Sequence, residues 1–393
     1  MPIGQHFPSP AHVSTDPETG RTIRQLTHGP ANHYPLYYFI PSITADNRYL
    51  ILHSERTGWV QLFRLDLTTG DMVQLTDGRT RDAGWAIWCE PRLRGIYNHL
   101  SALNTVRNEV YYFQDEEVRA THVETLDNRL IHAMPGRVSI GQTGFSPDGR
   151  LFAFIHADRD LFTTAIADRV ALRNMGQTVD HEAWRADVPC TIGLIDTATG
   201  AYRDVMQVDY HVHHVFFLDD RRLLINHVRG ENGMWTVDVD GAHQRILRPR
   251  DDVHAHGAVC HQVITARGLF YEANDWQETI RGVWLGHYDV ATDTFTERPL
   301  PGVGYVHTGR DPAGRTLFIE NQGAHHELLA VDGFPDGPEL SLRLLRRLSP
   351  IPAGQRYHAH PFLGPDRRWL YFTDLIDGHA HVCALDMEES KTK

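Results

Sequence analysis

The chain repeats one short sentence along its length. It reads: apolar strand, Asp-Gly-Arg-like turn, second apolar strand, a strand ending in Asp, Thr-Gly-like turn, closing strand. Ser42 to Leu52 opens one copy through Asp46-Asn47-Arg48, Leu62 to Gly70 carries it through Asp66-Leu67-Thr68-Thr69-Gly70, and Met72 to Thr76 closes it. Phe145 to Leu151 opens another around Asp148-Gly149-Arg150, and Ile192 to Gly200 supplies its second turn. Asp238-Val239-Asp240-Gly241 and Asp289-Val290-Ala291-Thr292-Asp293 repeat that second turn. Four short strands every ~40–50 residues is the spacing of a β-propeller blade, which buries its faces only against its neighbours.

Seven copies fit, at 36–79, 84–135, 140–206, 208–249, 254–300, 303–347 and 356–388. The second is the least regular, and the third carries an insertion around 158–188 that is expected to be partly helical. The last copy offers three strands. Arg21 to Thr27 matches the outer-strand pattern of Val73-Gln74-Leu75-Thr76 and is expected to supply the fourth. Pairing the N-terminal strand with the last blade closes the ring and removes an open sheet edge. The expected fold is therefore all-β, a seven-bladed β-propeller in a single domain spanning residues 1–393.

Composition narrows the function classes. A formal charge of −12 argues against a nucleic-acid partner, since little here would neutralise phosphates. An anionic small molecule stays possible, because a local basic cleft can sit on an acidic protein. Cys89, Cys190, Cys260 and Cys383 are scattered, with no CxxC pair, so neither a disulfide framework nor a structural zinc site is expected. The start, MPIGQHFPSP, shows no basic-then-apolar signal pattern, and no apolar run approaches the ~20 residues of a membrane span. A cytoplasmic protein without a membrane partner is expected.

Histidine is the outlier, with 26 residues. Four recur at one register: His214, His261, His307 and His360 each lie seven residues ahead of a turn position, at Arg221, Gly268, Gly314 and Arg367. In a repeat protein equal register means equal placement about the axis, so these imidazoles are expected to converge where the first strands line the central channel. Convergent imidazoles suit a metal or an acid–base site.

The last copy is richest: Gln355-Arg356-Tyr357-His358-Ala359-His360-Pro361. On a strand His358 and His360 would project to one face. With His307 and the Gln355 carbonyl they form a candidate N₃O ligand set for a divalent transition metal acting as a Lewis acid. His261 is the candidate general base, since a neutral imidazole accepts a proton near neutral pH. His214 and His227 are candidate assistants in the fourth blade, and Arg56 and Arg229 are candidate carboxylate-binding loop residues. No phosphate loop and no G-x-S-x-G elbow appears. The sequence shows no carboxylate ligands of the kind many hydrolytic metal sites use.

These residues resemble the oligogalacturonate lyases, a family of seven-bladed propellers acting on short pectin fragments. The family's Gln-x-x-His-x-His-Pro, followed by an apolar strand and a Thr-Asp-type turn, looks like Gln355 to Pro361 with Phe372-Thr373-Asp374. Its Ser-His-Leu before an Asp-Gly turn resembles Val306-His307-Thr308 before Ala313-Gly314. Its Cys-Thr-His-Glu resembles Val259-Cys260-His261-Gln262, and its Met-Trp before Asp-Gly resembles Met234-Trp235 before Asp240-Gly241. The resemblance implies Mn²⁺ held by His307, Gln355, His358 and His360, with His261 beside the proton to be abstracted. The implied reaction is β-elimination on a short oligogalacturonide such as unsaturated digalacturonate, in pectin catabolism. Between Val228 and Gly233 the chain departs from the family, lacking its second His and carrying Gly233 where it has Arg. Elimination on a different uronate or keto-sugar glycoside, a metal-dependent hydrolase, and a non-catalytic binding propeller are the competing readings.

Overall fold

In a computed structural model the chain is described at residues 2–81, 93–165, 188–226, 233–248, 258–274, 283–304, 306–309, 311–352 and 355–388. Seven antiparallel sheets follow one another along the chain, the blades of a seven-bladed β-propeller. Most neighbouring strands in each sheet are consecutive in the chain, the geometry that short Asp-rich turns dictate. Asp66, Asp196 and Asp289 each accept backbone N–H bonds two and three residues on, at 2.8–3.2 Å. That Asx geometry lets a side chain close the turn in place of a ladder bond.

Two compact units are present. Met1–Leu75 with His256–Lys393 holds blades one, five, six and seven; Thr76–Ala255 holds blades two, three and four. In the first unit, blade five is built from Ala258–Thr265, Gly268–Asn274, Val283–Asp289 and Thr294–Leu300, and blade six from Val306–Gly309, Leu317–Gln322, His326–Asp332 and Ser341–Arg347. Blade seven takes Phe362–Leu363, Trp369–Ile376 and His379–Asp386 from the C-terminal side and Thr22–Gln25 from the N-terminal side. The ring thus closes as expected, with Ile23 opposite Leu385 and Gln25 opposite Cys383. Two further strands went unforeseen: His12–Thr15 extends blade seven, and His6–Pro8 extends blade one.

Apolar side chains from adjoining blades form the core. Ile23, Leu370, Phe372 and Leu385 of blade seven pack with Phe318, Leu328, Ala330 and Leu345 of blade six. Phe270, Val283 and Leu285 of blade five pack with Leu317, Ile319 and Val331 of blade six. Fully burying one such large side chain stabilises the fold by roughly 1.5–3 kcal/mol. The closure has a polar latch as well. Arg346 of blade six donates to Asp16 beside the N-terminal strand at 3.0 Å and to Asp374 of blade seven at 2.8 Å.

In the second unit the insertion is helical at 159–165, and its remainder lies outside the described residues.

Candidate metal centre

His307 is the second residue of the first strand of blade six, directly opposite Glu320 on the next strand. That cross-strand pairing sets the imidazole against the carboxylate, and His307 Nδ1 donates to Glu320 Oε2 at 3.0 Å. The ring hydrogen is thereby held on Nδ1, and Nε2 is left as the nitrogen with a lone pair. Glu320 is the hub of a buried network. It also accepts from His326 Nε2 at 2.9 Å, Gln322 Nε2 at 2.8 Å and the backbone N–H of His360 at 3.3 Å. Gln322 Nε2 also stands 2.7 Å from His358 Nδ1, which lies 3.3 Å from His307 Nδ1.

His358 and His360 reach the site differently from the strand geometry expected of them. Gln355–Tyr357 is a 3₁₀ turn, the next strand begins only at Phe362, and His360 sits at φ 43° in the left-handed region. Alternation on a strand therefore does not place these rings. A tight turn and one left-handed residue do, and they leave the two imidazoles stacked with centroids 5.7 Å apart. The His307 ring lies 4.7 Å from that of His358 and 4.5 Å from that of His360. One potential ligand nitrogen from each of the three lies within 4.8 Å of the others. The backbone of Gln355 belongs to the turn, and its side chain is outside the described residues.

His261 approaches from blade five. The ladder there slips between Cys260 and Val263, so His261 and Gln262 form a β-bulge, with His261 at φ 51°. A bulge re-aims a side chain out of the strand's alternation. His261 Nδ1 meets Glu272 Oε2, a carboxylate fully buried on the neighbouring strand. Its ring centroid is 4.4 Å from that of His307. Cys260 Sγ lies 3.5 Å from the same Nδ1 that Glu272 engages, so thiol and carboxylate share one ring nitrogen and do not form a relay through the imidazole.

The electrostatics suit metal binding. Burial, with His261 close by, pushes His307 down to about 3, and burial likewise lowers His358. Both rings are neutral near pH 7, the form that ligates a cation. Burial alone would raise Glu320, but His358, His307 and His326 outweigh it and hold this carboxyl well below the ordinary range. His326 is raised, because the Glu320 hydrogen bond and charge overcome its burial. An anionic carboxylate behind a ligating imidazole is the arrangement that fixes ring tautomer and strengthens its donor nitrogen. The donor set therefore fits a divalent cation. Tyr37 and Tyr38 wall it: Tyr38 lies 5.5 Å from His307 and 5.6 Å from His360, and Tyr37 lies 5.0 Å from His360, measured between ring centroids.

Two of the other candidates are among the described residues. His214 belongs to the second unit, opposite Asn226 and with the His213 ring 6.3 Å away. Arg56 lies over the Phe7 ring at 4.6 Å with Nη1 3.4 Å from Met72 Sδ, a packing role for its stem and head alike. His227 and Arg229 lie outside the described residues. Glu272, Glu320, Gln322, His326 and the two tyrosines are additions that the histidine register did not identify. One signal for the carboxylates was present: Leu269-Phe270-Tyr271-Glu272 and Leu317-Phe318-Ile319-Glu320 place a glutamate alike in two equivalent strands.

No protein-family model matches this sequence, and no curated protein does. Solved structures do match. A structure described as oligogalacturonate lyase in complex with manganese aligns with a TM-score of 0.80 at 19% identity, covering 99% of each chain. An oligogalacturonate lyase from Vibrio parahaemolyticus aligns with a TM-score of 0.77 at 17% identity, covering 99% of this chain and 100% of that one. What this chain shares with those lyases, from end to end, is the seven-bladed propeller fold.

Proposed function

We propose that this protein is a divalent-metal-dependent carbon–oxygen lyase that cleaves short oligogalacturonides by β-elimination, with manganese as the metal. The observation that carries the reading is the meeting of three imidazoles, His307, His358 and His360, beside a fourth, His261, that is backed by its own buried carboxylate. The nitrogens of these three rings would hold the cation, with Gln355 as the further ligand. A bound divalent cation would offset the uronate carboxylate's charge and so acidify the adjacent C–H.

The remaining work falls to side chains. Glu272 receives the Nδ1–H of His261 and so orients Nε2 as the base that collects the proton from the carbon α to the carboxylate. Loss of that proton and departure of the glycosidic oxygen from the neighbouring carbon leave an unsaturated uronate, and the departing oxygen takes a proton to become the hydroxyl of the released sugar. Tyr37 and Tyr38 exclude water from the wall of the site, which strengthens each electrostatic contact within it. Glu320 anchors His307 and holds Gln322 beside His358.

The test is a manganese-supplemented assay on unsaturated digalacturonate with product analysis, beside His358→Ala and with other uronate disaccharides in parallel. Turnover that disappears on chelation and in His358→Ala supports the reading. Metal binding without turnover on digalacturonate, but with turnover on another uronate, moves the substrate and keeps the chemistry. Absence of both metal binding and turnover rejects it. A small acidic saccharide is the partner this reading requires; among the described residues no helix is long and apolar enough to cross a membrane.

A further inference from the structure

The second unit contains a cleft of about 770 Å³ between the outer parts of blades three and four. That volume suits a mono- or disaccharide, within the ~300–1,000 Å³ of small-ligand sites. Its lining includes Arg137, on the strand Arg137–Ser139, and Trp235, on the strand Met234–Asp238.

Arg137 is held in place by neutral acceptors. Its Nε donates to His156 Nδ1 at 2.9 Å and its Nη2 to Thr191 Oγ1 at 2.9 Å. The hydrogen bonds beyond it run in one direction: His156 Nε2–H to the Tyr202 oxygen at 2.7 Å, then the Tyr202 hydroxyl to Asp204. Burial, with Arg137 adjacent, pushes His156 down to about 4, so the ring stays neutral and its Nδ1 remains an acceptor. The chain fixes the guanidinium without neutralising it, since the balancing carboxylate stands three links away. Asp158 is the cross-strand partner of Arg137, yet its Oδ1 accepts the Leu161 N–H at 2.9 Å. Among the described residues no carboxylate lies within ion-pairing distance of Arg137. The fork of a fixed arginine with Nη1 still to be used is matched by a carboxylate.

The rest of the lining favours a hydroxyl-rich body over a bare anion. Trp235 is 4% exposed, and its indole Nε1, a donor, has no hydrogen-bond partner. Gln207, Gln244 and Asp209 offer amides and a carboxylate to hydroxyls, while Met206 and Ile246 give apolar surface. An unpartnered indole N–H, amides and the carboxylates of Asp158 and Asp209, together with the guanidiniums of Arg137 and Arg245, fit a sugar acid.

The geometry points to a second ligand site here, for a carboxylated monosaccharide or short acidic oligosaccharide, with Arg137 receiving the carboxylate and the Trp235 N–H a sugar oxygen. It lies in the unit that lacks the imidazole cluster and stands whether or not the lyase reading does.

The experiment is calorimetric titration of the full-length protein, treated with chelator to silence the metal centre, using galacturonate, glucuronate, galactose and inorganic phosphate. Saturable galacturonate or glucuronate binding is expected, with galactose weaker by at least tenfold. Arg137→Met should weaken the acid ligands roughly 10- to 100-fold, as loss of a charge-assisted pair does. Trp235→Phe, which keeps an aromatic but smaller side chain and removes the N–H, should weaken them several-fold. Circular dichroism checks that both variants are folded, and Arg137→Lys stands in if Arg137→Met is not. Absent binding to the chelated protein, or unchanged binding in folded variants at both positions, overturns the proposal. Phosphate displacing galacturonate at equal concentration reduces the site to a bare anion pocket and overturns it too.

Discussion

Replacing Glu320 by Gln tests whether the buried network is built around a metal. The carboxylate accepts four donors: two imidazoles at 3.0 and 2.9 Å, one amide at 2.8 Å and one backbone N–H at 3.3 Å. Gln keeps the shape and one carbonyl oxygen, but turns an NH₂ toward groups that are themselves donors. The metal-free protein should lose about 1–3 kcal/mol for the polar group so mismatched. A carboxylate behind a ligating histidine is worth about 10- to 100-fold in metal affinity, or roughly 1.4–2.7 kcal/mol. The assay is thermal unfolding with and without Mn²⁺. At a cation concentration near 100 times the wild-type Kd, binding stabilises by about 2.7 kcal/mol, and a 100-fold loss of affinity shrinks that to about 0.4 kcal/mol. If folded Glu320→Gln keeps the full manganese-dependent rise in Tm, the network does not serve a metal and the reasoning fails.

Glu272→Gln should lower kcat by 10- to 100-fold with little change in KM or manganese affinity, since it orients a base and holds no ligand; steady-state kinetics beside metal titration checks this. Arg346→Met leaves Asp374 and Asp16 buried without their cation, and should cost about 3 kcal/mol in urea unfolding, releasing the N-terminal strand first. Acid should weaken the fold below pH 6.5. Burial pushes His33 to about 3 and His53 to about 4, so both are depressed relative to the unfolded chain. Neutral buried histidines contribute stability above the unfolded pKa and lose it as the pH falls; at pH 5 each costs about 2 kcal/mol. Urea midpoints at pH 7 and pH 5 should differ accordingly, and by less in His53→Gln.

Much of the architecture was legible in the chain because it is written in local repeats. The Asp-rich turns recur at blade spacing, and Arg21 to Thr27 carries the outer-strand pattern that the last copy lacks. His307 and His360 were legible from their shared register, and His358 from the His-x-His pattern beside His360. The means by which they meet was not. His358 and His360 stand beyond a 3₁₀ turn and at a left-handed residue, and His261 sits on a bulge; each breaks the strand alternation from which sequence reasoning works. His214 shares the register of the others but lies among different neighbours in the second unit.

The sequence by itself determined what depends on periodicity: all-β folding, seven blades, closure by the N-terminal strand, and which histidines are repeated. Tertiary structure alone decided what those histidines touch. Glu272 and Glu320 are 11 and 13 residues from the imidazoles they engage, and Arg137 is 19 from His156 and 54 from Thr191. Hydrogen-bond partners are chosen by cross-strand register and backbone φ, which a pattern of residue types constrains only to the strand, whereas charge and proton placement depend on the individual atom that is reached.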